Sequence, residues 1–365
     1  MPFGNISNST ERDTRHRVCR RTKLQYLHSF FDPVKRMRSP DKRDNKHLVV
    51  IGGGTMGVDI SAAFLAGGWQ VTIVEPMVLS HPLRKKQLTQ SLATLGVHDK
   101  SAPFLEQMSD VAFDQIDHGL VIEAVPESLA LKQQVFSELV RLVPEHIPLC
   151  SNSSAIPISE IGRGLPNPAR MLGTHFFMPA HLVPGVEVVS SVQTDPAIAQ
   201  RVADDMRSAG RVPIMVKRDI PGFLVNRLQH AISREAFHLI DEGIASPADI
   251  DAAVRFGFGF RYLAAGPCLQ RDHAGLDVHC AAARSIYPDL CNDAEPARIL
   301  RERVEEGALG MKMGRGFFDW DEASMAAERA RYQGLLLAAA RLLEKEIAQA
   351  ATGSAGQDQQ TVSSA

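Results

Sequence analysis

The sequence has almost no net charge, no long apolar run and no paired cysteine motif. Its 365 residues carry 40 Lys/Arg against 42 Asp/Glu, a formal charge of −2, so nothing in the bulk electrostatics draws the chain to nucleic acid or to an anionic membrane. No window approaches 18 uninterrupted apolar residues, and no apolar segment near the N-terminus leads to a small-residue cleavage site. This argues against a membrane span and a secretory leader. Cys19, Cys150, Cys268, Cys280 and Cys291 are odd in number and scattered without a Cys-x-x-Cys pair, which excludes a disulfide framework and a thiolate zinc site and points to a reducing, cytoplasmic setting. Gly and Pro, at 27 and 21 residues, show no collagen-like or low-complexity excess. What remains is a chain that is 44% apolar and long enough for two or three domains, with a small molecule as the expected partner.

Residues 1–46 hold twelve Lys/Arg and five Asp/Glu with neither a helical nor a strand period, and are expected to form a disordered basic extension. From His47 the texture changes. Leu48–Ile51 reads as a buried parallel strand that breaks at Gly52-Gly53-Gly54, Met56–Ala66 as a helix, and Gln70–Val74 as a second strand. Further strands are expected at 119–125, 148–151, 170–177, 186–189 and 212–216, with helices such as 131–142 and 196–209 between them. Such alternation argues an α/β fold: a Rossmann-type doubly wound parallel sheet over residues 47–218. After Asp219 the strand patterns stop. Pro221–Glu242 reads as one long helix with a wide apolar stripe, and Ser246-Pro247-Ala248-Asp249 as the N-cap of another. Residues 219–323 are therefore expected to form an all-helical C-terminal domain for substrate binding and dimerisation, and 324–365 a C-terminal helix and a disordered tail. The broad apolar faces of the helical domain exceed what it can bury alone and suggest a homodimer.

Gly52-x-Gly54-x-x-Gly57 follows a strand, opens a helix at Thr55 and Met56, and is succeeded 18 residues past Gly57 by Glu75 at the end of the second strand. That is the context a dinucleotide fingerprint requires. Glu75 would accept hydrogen bonds from ribose hydroxyls and oppose a 2′-phosphate, so NAD is expected over NADP. His175 and Glu187 end and begin two short runs separated by a loop rich in Pro and Gly. A carboxylate on one imidazole nitrogen would leave the other free as a base. His175 and His181 lack a third ligand at a metal-site spacing, so no metal is expected.

The chain resembles the L-3-hydroxyacyl-CoA dehydrogenase family over nearly all of residues 47–320. The resemblance rests on the glycine fingerprint with Met56, Val121-Ile122-Glu123-Ala124-Val125-Pro126-Glu127, Ser151-Asn152-Ser153-Ser154, His175-Phe176-Phe177 with Glu187, Pro221-Gly222-Phe223-Leu224-Val225-Asn226-Arg227, and Gly310–Trp320. It implies NAD-dependent oxidation of a 3-hydroxyacyl-CoA, or the reverse, as part of fatty acid metabolism. His175 is then the base and Glu187 its orienting partner; Ser154 and Asn226 hold the substrate oxygens, and Glu127 and Lys132 line the nicotinamide end of the cofactor site. Two departures stand out. Met178 occupies the position after His-Phe-Phe where the family has Asn. Arg261, within Gly257–Tyr262, is similar to a branch containing λ-crystallin, gulonate dehydrogenase and carnitine dehydrogenase, and is a candidate partner for a substrate carboxylate. The alternatives are thus a dehydrogenase of a free hydroxy acid, or a non-catalytic crystallin-like protein that binds NAD.

Overall fold

The computed structural model describes residues 46–352; the expected basic extension, but for its last residue, and the expected tail beyond Thr352 lie outside them. Eight strands form one sheet: β1 (Lys46–Ile51), β2 (Gln70–Val74), β3 (Phe104–Leu105), β4 (His118–Glu123), β5 (Leu149–Ser151), β6 (Met171–Phe176), β7 (Gly185–Ser190) and β8 (Val212–Val216), in the order β3-β2-β1-β4-β5-β6-β7-β8. The helices α1 (Thr55–Ala66), α2 (His81–Thr94), α3 (Leu129–Leu142), the single turn α4 (Ile158–Ile161) and α5 (Pro196–Ser208) connect them.

Continuous apolar strands are the expected consequence of a sheet covered on both faces. Along β1, Leu48 and Val50 face one core with Phe64, Trp69, Val202 and Met206, while Val49 and Ile51 face the other with Phe136, Leu139 and Ile161. Both sets need apolar side chains because helices lie against both faces. The expectation of a wholly parallel sheet needs correction at one place. β6 and β7 pair antiparallel, because the Pro/Gly-rich connection between them is too short to carry a crossover helix. The two-residue strand β3 was below the reach of periodicity.

The sheet changes its direction of progress between β1 and β4, and a crevice for ligands is expected beyond the carboxyl ends of strands at such a switch. Gly52 sits there with φ 105°, and a Cβ on it would meet the carbonyl oxygen of Ala124, which follows β4, at 2.8 Å. Gly57 is packed still more closely, since a Cβ would run into the carbonyl oxygen of Gly52. These two contacts set the angle at which α1 leaves the sheet.

The helical region comprises α6 (Val225–Asp241), α7 (Pro247–Ala252), the short α8 (Gly259–Tyr262), α9 (Pro267–Ala274), α10 (Leu276–Ile286), α11 (Arg298–Glu305), α12 (Glu322–Leu342) and α13 (Glu344–Thr352). The expected Ser246 cap is present, its Oγ accepting from the Asp249 amide. The expected helix from Pro221 begins four residues late. Gly222 and Phe223 take positive φ (74° and 47°), which no helix accommodates, and the chain turns before Val225. Where one terminal helix was expected there are two, and the second, α13, folds back against α5 and the edge strand β8. No described helix is long and apolar enough to cross a membrane.

Gly57→Ala should destabilise the protein by about 1–3 kcal/mol, the usual range for forcing a methylene into a packed interior. A urea titration reads this as a lowered midpoint at unchanged m-value; an unchanged midpoint would show that α1 can lift off the glycine turn without cost.

Candidate active site

His175 and Glu187 are register partners across the antiparallel β6–β7 pair, so their side chains emerge on the same face. The Nδ1 of His175 lies 2.7 Å from Glu187 Oε2, and both residues are buried, Glu187 completely. The other carboxylate oxygen accepts from the backbone N–H groups of Leu224 and Val225, each at 2.8 Å. The late start of α6 thus has a chemical role: the turn at Gly222-Phe223 aims the first amides of the helix at Glu187, where the positive end of the helix dipole also favours the anion. Burial pushes the Glu187 carboxyl up, but the bond to His175 and those from Val225 and Leu224 outweigh it and hold the carboxyl below its ordinary range. An ionised carboxylate only accepts, so Nδ1 donates to Glu187 and Nε2 is the ring nitrogen left for another partner. Phe177 and Phe223 pack edge-on to the imidazole, at ring-centre distances of 4.8 and 5.8 Å.

A second network begins at Glu123, the last residue of β4. Its fully buried carboxylate accepts from Lys132 Nζ (2.8 and 3.1 Å), from Ser151 Oγ (2.6 Å) and from the Val125 amide (2.7 Å). Lys132 also lies 3.4 Å from both the Val125 carbonyl oxygen and Glu127 Oε2. Glu127, in turn, accepts from Ser153 Oγ at 2.6 Å and from the amides of Ser154 and Ala155 at 3.0 and 3.2 Å. Desolvation raises the Glu127 carboxyl, but Ser153, Lys132 and the Ala155 amide together leave it below its ordinary value. The ammonium of Lys132 is therefore surrounded by protein acceptors and 1% exposed. Its place in the structure is beneath Glu127, which it steadies, while Glu127 itself is partly open.

Through Glu127 this network fixes the turn that carries Ser154. Asn226, in the first turn of α6, donates from Nδ2 to the Ser154 carbonyl oxygen at 2.9 Å. The structure so brings together four expected residues: His175, Glu187, Ser154 and Asn226. Arg261 is not brought to them. It is exposed in α8 and lines neither the cavity beside Asn226 nor the apolar cavity behind Ile232. Sequence reading gave Glu123 and Ser153, though part of the matching motifs, no role of their own, and passed over the amides of Leu224 and Val225. An acid ending an otherwise apolar strand was a signal for the first; the amides have none, because they depend on a turn with positive φ at Phe223.

At the glycine turn, a Cβ on Gly54 would meet nothing within 4 Å, and no side chain caps the start of α1. The open space and the free amides at Thr55 and Met56 fit a pyrophosphate. Glu75 is held ready, its Oε2 accepting from the Gly53 amide and its Oε1 from the Met77 amide, both at 2.9 Å. Gly53, between the fingerprint glycines, is needed because a Cβ would meet the Glu75 side chain at 2.9 Å. No group of three or more His, Cys, Asp or Glu suited to a metal occurs among the described residues.

A dinucleotide turn at the crevice of a doubly wound sheet, with a His–Glu pair at neighbouring strand ends and a helical domain behind it, defines a nicotinamide-dependent dehydrogenase of alcohols. Residues 47–220 match the 3-hydroxyacyl-CoA dehydrogenase NAD binding domain, and residues 222–320 the C-terminal domain of the same enzymes. The chain belongs to the 3-hydroxyacyl-CoA dehydrogenase family and is an NAD-dependent oxidoreductase acting on CH–OH groups. A 5-formyl-3-hydroxy-2-methylpyridine 4-carboxylate 5-dehydrogenase of Mesorhizobium japonicum is 32% identical over 304 residues, 82% of this chain and 98% of that protein. A crystal structure of an enzyme of that activity, described as an NAD+-dependent dismutase, superposes with a TM-score of 0.77 at 30% identity, covering 82% of this chain and 98% of that one. The human mitochondrial hydroxyacyl-coenzyme A dehydrogenase is 30% identical over 311 residues, 81% of this chain and 98% of that protein.

Two outcomes test this account of the site. Lys132→Met should cost about 3–5 kcal/mol in a denaturant titration by leaving Glu123 charged and unpaired in the interior, and adding Glu123→Gln should recover much of the loss. If the double variant is no more stable than the single one, the pair is not the coupled unit described. Because the folded-state carboxyls of Glu187 and Glu127 lie below their ordinary values, their contribution is present above the unfolded pKa and is lost as pH falls through the folded one. The melting temperature should therefore drop on acidification below about pH 4.5, and Glu187→Gln should flatten that drop.

Proposed function

We propose that the protein interconverts an L-3-hydroxyacyl-CoA and its 3-oxoacyl-CoA, as a cytoplasmic homodimer working in fatty acid metabolism. The observation that supports the reading is the buried His175–Glu187 pair, whose Glu187 also accepts from the Leu224 and Val225 amides, next in the chain to Asn226, which donates to the Ser154 carbonyl oxygen. Supporting the dimer are large apolar side chains left exposed on the helical region, such as Phe256, Phe260 and Leu276. The four described cysteines are all free, consistent with a reducing compartment.

The residues would divide the work as follows. Gly52, Gly54, Thr55, Met56, Gly57 and Glu75 would hold NAD, with its nicotinamide end toward Glu127. NAD, when bound, supplies the acceptor for the hydrogen leaving the carbinol carbon. Ser154 and Asn226 would hold the oxygen of that carbon next to His175. His175 Nε2 takes the hydroxyl proton, and Glu187 stabilises the imidazolium that results, since the charge is matched in a buried site. In the reducing direction the same imidazolium returns the proton. Phe177 and Phe223 exclude water from the imidazole and so keep its proton for the substrate.

A second reading, a free hydroxy acid as substrate, is favoured by one observation: the relative that superposes at 0.77 carries in its name a free pyridine carboxylate rather than a CoA ester. Under it, the exposed Arg261 would have to meet the carboxylate after a movement of α8. Oxidation of NADH with acetoacetyl-CoA and longer 3-oxoacyl-CoA esters, set against free 3-oxo acids, separates the two. Activity confined to free acids and abolished by Arg261→Leu would replace the first reading with the second.

His175→Gln should leave NADH binding unchanged and lower kcat by about 10²- to 10⁴-fold, the range for a lost general base. A loss below about threefold, with chemistry rate-limiting, would make the histidine structural. NADH should bind more tightly than NADPH, and Glu75→Ala should narrow the difference; equal affinities in the unmutated protein would remove Glu75 from the ribose site.

A further inference from the structure

The face of α6 that carries Asn226 continues into a row of basic residues that the chemistry above does not use. Arg227, His230 and Arg234 lie at helical spacing on one side of α6, together with Ser233. The three basic residues are exposed and, with Ser233, line an open groove of about 650 Å³ bounded by the 293–297 loop and by Ala155. Asn226 is part of the same wall, so the groove begins at a residue placed at the reacting carbon. Its volume lies within the range of small-ligand sites.

Among the described residues the two guanidiniums have no acidic partner: Arg227 reaches only the Pro221 carbonyl oxygen (3.4 Å) and Arg234 only that of Asp293 (3.5 Å), long contacts to uncharged acceptors. Asp293 and Glu295 stand on the opposite wall, yet among the described residues neither carboxylate forms an ion pair with these guanidiniums. Other arginines of the helical region do have acidic partners, as in Arg298 with Asp241 and Glu302, Arg303 with Glu306 and Arg331 with Glu328. Two unpaired guanidiniums flanking an imidazole, facing into a groove rather than across to an acid, are the arrangement in which an oxyanion finds paired, directional donors.

We propose that Arg227, His230 and Arg234 form an anion subsite that holds an oxyanion of the substrate remote from its reacting hydroxyl. With a rise of 1.5 Å per residue, Arg234 lies about 12 Å along the helix from Asn226. The subsite thus suits a substrate with its charge well separated from the carbinol carbon: a phosphate of a CoA ester, or the distal carboxylate of a dicarboxylic 3-oxo acid. The inference rests on the proposed function only in taking Asn226 to be at the reacting end.

The test uses Arg227→Gln/Arg234→Gln, with Arg301→Gln, an exposed arginine outside the groove, as control. For the active substrate, the double variant should raise KM about tenfold or more, the consequence of losing charge-assisted bonds, with kcat within about threefold and KM for NADH unchanged. The control should change none of these. Calorimetric titration of the unmutated protein with CoA alone and with glutarate alone identifies the source. Binding of CoA that disappears in the double variant assigns the subsite to phosphate; binding of glutarate that disappears assigns it to carboxylate. A KM shift below about twofold would overturn the proposal, whatever the titrations show. If no 3-oxo substrate is turned over, the function proposed above fails, and the titrations alone decide: probe binding lost in the double variant supports the subsite, and no binding of either probe overturns it.

Discussion

The carboxylate of Glu187 ties the sheet to the start of the helical region. One oxygen orients His175 from the neighbouring strand; the other takes the first two amides of α6. A buried anion needs several donors to remain charged, and here the donors come from the sheet and from the helical region alike. The second oxygen of Glu187 is satisfied because α6 begins where it does, and α6 begins there because Gly222 and Phe223 turn the chain with positive φ. The electrostatics of the base and the placement of Asn226 are thus set by one contact.

The second buried anion, Glu123, does for the 151–155 turn what Glu187 does for α6. Lys132 is enclosed with it, and the two together hold Glu127, whose bonds to Ser153, Ser154 and Ala155 fix the turn that meets Asn226. Ser154 and Asn226, proposed to hold the substrate, therefore sit on backbone tied to buried charges rather than on free loops. Such support limits displacements of the kind that cost rate when a reacting group moves by an ångström. Lys132, which the family resemblance assigns to the lining of the cofactor site, has its ammonium committed to this support.

Between them the two networks leave the crevice at the β1–β4 switch open. Gly54 has empty space where a Cβ would project, the start of α1 keeps its amides uncapped, and Glu75 is restrained by two backbone amides. A site whose groups are already oriented binds with less loss of conformational freedom. On the far side of Asn226, Arg227, His230 and Arg234 line a groove in which, among the described residues, the two guanidiniums meet backbone carbonyls and no carboxylate. The contrast between satisfied charges around the base and unsatisfied ones along α6 is what separates residues that build the site from residues available to a ligand.

The sequence by itself determined every strand but β3, the glycine turn, Glu75, and the pairing of a histidine with an acid, because each depends on local periodicity or on a short motif with a fixed geometry. The helix cap at Ser246 and the change from alternating elements to helices after Asp219 were legible for the same reason. Tertiary structure alone decided that β7 runs antiparallel to β6, that α6 starts at Val225 and gives its amides to Glu187, and that Lys132 is enclosed by Glu123 and Glu127. It also decided that Arg261 stands apart from Asn226 while Arg227, His230 and Arg234 share a groove with it. These outcomes depend on contacts between residues 5 to 72 positions apart in the chain, and on backbone torsions no residue type announces. A phenylalanine at φ 47° is held there by the packing and hydrogen bonds around it, and nothing in its own side chain foretells it.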